Sequence, residues 1–84
     1  MILHAKLQDN LAYTYLYVLN RAEDALKAYS ESIRLFETAG KANTDLAFEL
    51  VNRATTHYNL SQFQSSVTDM LRAIAICEIG RAHV

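Results

Sequence analysis

The side chains with the widest chemical repertoire in this chain are three histidines, one cysteine and scattered carboxylates, and their spacing argues against a reaction centre. His4, His57 and His83 lie far apart, and none has a second histidine four residues away, the spacing by which one helix face holds zinc. Cys77 continues an apolar stripe, a setting in which a thiol is usually inert, so a small hydrolase built on Cys77 and a histidine lacks an activating context. His57 falls where two helices would pack, and a proton-handling role would need a carboxylate that the sequence does not place. Glu23 and Asp24 open a helical stretch, where the helix dipole favours negative charge. Glu31 with Arg34, and Lys27 with Glu31, have the spacing of helix-surface pairs. Gly40 stands at a helix stop rather than in a phosphate-binding loop. The expectation is a chain with no catalytic residue, no metal and no cofactor.

Composition narrows the class further. At 84 residues the chain makes one small domain, with too little interior to be very stable without neighbouring repeats or an oligomer, so it looks like part of something larger. Residues are 51% hydrophobic, glycine is scarce and proline absent, a balance that suits an all-α fold. A net charge of −1 with dispersed basic residues gives no electrostatic footprint for nucleic acid. No apolar run is long enough to span a bilayer and no leader pattern opens the chain, which reads as cytoplasmic, away from the membrane. A single cysteine excludes an internal disulfide and suits a reducing compartment.

Apolar residues recur at helical spacing in four segments. The first, Leu3 to Leu19, sets Leu7, Leu11, Tyr15, Val18 and Leu19 on one side. The second, Ala22 to Ala39, has an inner stripe of Ala25, Leu26, Tyr29, Ile33 and Phe36, and Gly40 ends it. The third, Thr44 to Asn59, buries Leu46, Leu50 and Ala54 with Tyr58 or His57; Asn43 or Thr44 caps it, and Asp45 and Glu49 lie near its positive end. The fourth, Gln62 to Ile76, aligns Phe63, Val67, Met70, Leu71 and Ile74. Ser61 with Gln64, and more loosely Asn20 with Glu23, form N-terminal capping patterns. Short connections force neighbouring helices to run antiparallel, giving two stacked helical hairpins, residues 1–39 and 42–77.

The two halves repeat. Asn20 to Leu26 and Ser61 to Val67 are 41 residues apart, and each opens a helix after a leucine, Leu19 or Leu60. In the second helix Ala25, Tyr29 and Ser32 read small, large, small; in the fourth Ser66, Met70 and Ala73 repeat that order. With Ala54 as the small residue of the preceding helix, these positions resemble the tetratricopeptide repeat, in the lengthened variety of bacterial signalling and regulatory proteins. The resemblance covers Leu7 to Ile76. Its period exceeds the family's usual ~34 residues; Tyr13 stands where the family has Gly or Ala, Ala12 and Arg53 where it has Leu, and the closing Pro is missing.

The resemblance implies a short α-solenoid whose first helix in each pair lines a concave groove. On this chain the groove positions are Asn10, Thr14 and Tyr17, then Asn52, Thr55, Tyr58 and Asn59. Amides and hydroxyls beside aromatic rings make a plausible wall for a peptide. Tyr13, Tyr15 and Tyr17 point in three directions, so at least one reaches a surface. Only Lys6 and Asn10 have the four-residue spacing of the family's carboxylate clamp, and no such clamp is expected. The implied function is a protein- or peptide-binding scaffold, a piece of a larger signalling or regulatory protein with adjacent repeats or an effector domain. The alternative is a homo-oligomeric, self-associating bundle with no dedicated ligand.

The last seven residues, Glu78 to Val84, can be back-translated in frame into the start of a widely used short-read sequencing adapter. Residues 78–84 are therefore expected to be a non-native tail, to be kept out of functional reasoning.

Overall fold

The computed structural model describes residues 2–40 and 44–82. Among them are four α-helices and no strand: α1 (Ile2–Tyr13), α2 (Ala22–Thr38), α3 (Thr44–Asn59) and α4 (Phe63–Ala82), with α1 continuing into a single π-helical turn, Thr14–Val18. Helix α2 packs on α1 and on α3, and α3 packs on α4. The chain is thus two helical hairpins side by side. None of these helices is long and apolar enough to cross a membrane.

Small residues allow the close approach within each hairpin. Ala12, Leu16, Ala25, Ala28 and Tyr29 form one buried cluster between α1 with its π turn and α2. Ala5, Ile33, Phe36, Leu46, Leu50 and Ala73 belong to a second, which joins all four helices. Across these contacts the Ser32 hydroxyl donates to the Ala5 carbonyl at 3.0 Å, and Ser66 to the Ala54 carbonyl at 2.8 Å. With a serine facing an alanine at both places, each hydroxyl is close enough to the neighbouring helix to bond its backbone.

Helix α2 buries most of the stripe expected of it: Ala25, Tyr29, Ile33 and Phe36 are buried and Leu26 is half-buried. Leu46, Leu50 and Ala54 of α3 are buried as well, while Tyr58 is exposed and His57 half-buried. Gly40 ends α2 with φ +73°, its N–H bonded to the Glu37 carbonyl at 3.0 Å. A Cβ there would meet nothing, so the backbone conformation alone selects glycine.

Other expectations give way to the structure. Leu7, Leu11, Val18 and Leu19 are exposed, and the buried residues are instead Ala5, Ala12 and Leu16. The first helix is not one regular α-helix, because the π turn adds a residue: the Leu19 N–H reaches the Thr14 carbonyl at 3.0 Å and the Arg21 N–H the Tyr15 carbonyl at 2.7 Å. That insertion turns the later side chains away from a 3.6-residue stripe.

Nor do Asn20 and Ser61 cap the helices that follow them. Both have left-handed backbones, φ 52° and 61°, whereas an N-cap residue is extended. They occupy equivalent places in the repeat, but each closes the helix before it. At Ser61 the closure is a Schellman turn: the Gln62 N–H bonds the His57 carbonyl at 2.8 Å and the Ser61 N–H the Tyr58 carbonyl at 2.9 Å. Helix α2 starts from Arg21 without a side-chain cap. Helix α4 runs past Ile76 to Ala82, into the seven-residue tail. Asn43, Ala42 and His83 lie outside the described residues.

The alanine contact makes a prediction. Ala25→Trp should overpack α1 against α2 at a cost of about 1–3 kcal/mol or more, lowering the melting temperature by roughly 4–8 °C per kcal/mol. A melting curve by circular dichroism that matched the parent's would refute the close contact.

Candidate functional site

Helix α4 has one face of small and polar residues and one of large apolar residues, and the first of these meets the core. Ser66, Asp69, Ala73 and Ile76 are buried or half-buried, whereas Phe63, Val67, Met70, Leu71 and Ile74 are between 40% and 62% exposed. The stripe expected to be the inner face of α4 is therefore its outer face. The reason is Asp69. Its carboxylate, in a residue only 5% exposed, accepts two hydrogen bonds from Arg53 of α3, at 2.7 Å from Nε and 2.8 Å from Nη2. A carboxylate taken from water must be paired, so α4 turns Asp69 toward α3 and its large apolar residues toward solvent.

This ion pair anchors a polar cluster. Arg53 also reaches the Ser30 hydroxyl of α2 at 3.4 Å. His57 Nδ1 lies 2.7 Å from Gln62 Oε1, and its Nε2 faces Asp69 Oδ2 at 3.7 Å. The carboxylate that the sequence could not supply for His57 is thus Asp69, twelve residues on. Its location could not be read from spacing, because the pairing crosses the α3–α4 turn. The bidentate bond to Asp69 raises the Arg53 pKa still further. With Leu26 and Ser30 of α2 these groups line a cleft of about 420 Å³. Arg53 and Asp69 neutralise one another there, so the cleft offers hydroxyls and amides rather than net charge.

A second buried acid lies in the core. Glu49, expected near the positive end of α3, is 3% exposed, and its Oε2 has no hydrogen-bond partner among the described residues. Burial above all, then the neighbouring Asp9 carboxyl, pushes its pKa up to about 8; Asp45 acts in the same direction and the Ser32 hydroxyl against it. The nearby Tyr29 hydroxyl is shifted upward too, mainly by burial.

The groove residues named from the sequence are distributed as follows. Asn10, Thr14 and Tyr17 are exposed, as are Thr55, Tyr58 and Asn59, while Asn52 is half-buried. Thr14 and Thr55 donate their hydroxyls to carbonyls of their own helical stretch, those of Asn10 at 3.0 Å and Val51 at 3.1 Å. Tyr17 packs on Tyr13 with ring centroids 4.6 Å apart, and Tyr58 meets Phe63 edge-on at 5.3 Å. Among the described residues no hydrogen bond or ring contact joins the first set to the second. Thr55 and Tyr58 do come together with Ser66 and Met70 around a depression of about 180 Å³ between α3 and α4. Cys77, expected within the core stripe, is exposed on α4.

The most developed candidate site is therefore the outer surface of α3 and α4, held in place by the Arg53–Asp69 pair behind it. No family model, no curated protein and no solved structure matches this chain.

Two predictions concern the buried charges. Asp69→Leu alone should cost about 3–5 kcal/mol by stranding Arg53, and the double change with Arg53→Met should be far milder. Urea unfolding of the four-member cycle checks this, and additive losses would mean that the pair is not coupled. Glu49 binds its proton more tightly folded than unfolded, so its contribution to stability is complete below the ordinary value of 4.5 and is lost as pH rises through about 8. Unfolding free energy should fall across that window by up to about 1.4 kcal/mol per pH unit. Glu49→Gln should flatten the profile, and an equally steep decline in that variant would place the proton elsewhere.

Proposed function

We propose that this chain is a protein-binding helical scaffold, and that its partner contacts the outer surface of α3 and α4. The observation that carries the proposal is the unbroken apolar stripe on α4, whose five large residues stay half-exposed while small and polar ones face the core. Monomeric proteins seldom leave such a continuous apolar patch open, and a partner surface is the usual reason for one. Thr55 and Tyr58 extend the stripe onto α3, so two of the seven groove positions fall on this surface.

The repeat supports the same reading. Tyr29 and Ile33 of α2 occupy the places of Met70 and Ile74 in α4, and they are buried in the clusters between α2 and its neighbours. A further helix laid on α4 would complete the pattern, as in proteins of the tetratricopeptide type, where stacked hairpins make an extended surface. A role as one module of a larger cytoplasmic signalling or regulatory protein accords with this.

A photo-crosslinking residue tests the surface directly. With p-benzoylphenylalanine in place of Phe63, irradiation in cells should yield a covalent adduct to a protein chain. The same residue in place of Glu23 on α2 should yield little. Equal labelling from both places, or none from position 63, would defeat the proposal.

A further inference from the structure

The outer surface of α4 has the geometry of a helix-pairing seam. Phe63, Val67, Met70, Ile74 and Cys77 follow one another at intervals of four, three, four and three residues, the heptad spacing by which two helices keep contact along their length. All five are exposed. Seen as a heptad, this helix faces α3 with its small and polar residues and solvent with its pairing residues. The seam itself has no charged side chain, so it offers nothing by which to select an oppositely charged partner.

Its extent fits an interface. Beside the seam Leu71 is 62% exposed, and on α3 Phe48, Val51 and Tyr58 are 61%, 37% and 63% exposed. Phe48, Val51, Thr55 and Tyr58 stand on one face of α3, and Tyr58 packs edge-on against Phe63, which joins the two helices' exposed faces. With about 200 Å² for an aromatic and about 150 Å² for an aliphatic side chain, these residues leave roughly 700 Å² of apolar surface open. That exceeds the largest patch on a typical monomer, about 300–600 Å², and approaches the about 800 Å² that each partner contributes to a standard interface.

We infer that the occupant of this surface is a second copy of the same chain, with α4 paired on α4 across a two-fold axis to form a four-helix interface with the two α3 helices. The inference rests on the proposed contact surface of α3 and α4 and names what covers it. An isologous contact needs a self-complementary patch, and an uncharged heptad seam is self-complementary, since each helix offers the knobs and the holes that the other requires. Met70 lies at the middle of the seam. A charge there would be buried and unpaired in the dimer, whereas in the monomer Met70 is 40% open to solvent and a charge can reach water.

Sedimentation equilibrium of the purified chain in reducing buffer tests this over a wide range of concentration. The expected result is a reversible dimer of twice the 9.5 kDa chain mass. Met70→Glu and, independently, Val67→Lys should each weaken it by about 30-fold or more, the effect of losing a central hot spot, with helicity by circular dichroism retained. Glu23→Lys, on an exposed part of α2, should leave the dimer unchanged. A dimer that survives both seam variants, or that Leu7→Glu on α1 dissolves instead, would overturn the assignment. So would a monomer at every concentration. If that monomer still gave an adduct to a different protein from position 63, the scaffold reading would stand without the second copy. If it gave no adduct, both would fall.

Discussion

The pairing of Arg53 with Asp69 is the constraint on which the arrangement of the second hairpin depends. It joins α3 to α4 through two short hydrogen bonds and touches α2 through Ser30. Burying the large stripe of α4 instead would leave Arg53 without its carboxylate beside α2 and α3, a penalty of several kcal/mol. With the pair formed, Ser66 and Ala73 come against α3, and their small size permits the close approach that Ser66 then seals with a hydrogen bond to the Ala54 carbonyl. One ion pair thereby decides which face of α4 the molecule buries and which it displays.

The first hairpin solves the same packing problem with different chemistry. Its inner faces are alanines with Leu16 and Tyr29, and the repeat equivalents of Asp69 and Arg53 there are Ala28 and Ala12. An uncharged contact leaves α2 free to present Ile33 and Phe36 to α3. Where the first hairpin needs adjustment it takes it in the backbone, as the π turn that sets Leu16 inward and the left-handed Asn20 that closes the turn. The two hairpins are thus similar in layout and unlike in what specifies them, an ion pair in one and close-packed methyl groups in the other.

Polar groups inside so small a core also set its response to solution conditions. Glu49 sits among Asp9, Asp45 and Ser32, with the Tyr29 hydroxyl close by, and its burial there favours the protonated form. The Arg53 cluster differs in that its charges compensate one another. The core therefore contains one acid that prefers to be neutral, on α3, and one whose carboxylate is paired with an arginine, on α4.

Helix number, their approximate limits and the hairpin order were legible in the sequence, because a 3.6-residue period, short connections and a glycine stop are local properties. So were the inner stripe of α2 and the equivalence of Asn20 with Ser61, though not the left-handed backbone that both adopt. The choice between the two faces of α4 was not legible. Phe63, Val67, Met70, Leu71 and Ile74 outweigh Ser66, Asp69 and Ala73 in hydrophobicity, and nothing local reveals that Arg53, sixteen residues earlier, waits for Asp69. The burial of Glu49 depends likewise on Asp9 and Ser32 of other helices. Local sequence determined which segments are helical; tertiary contacts decided which way those helices face, because a buried charge must find its partner wherever in the chain that partner lies.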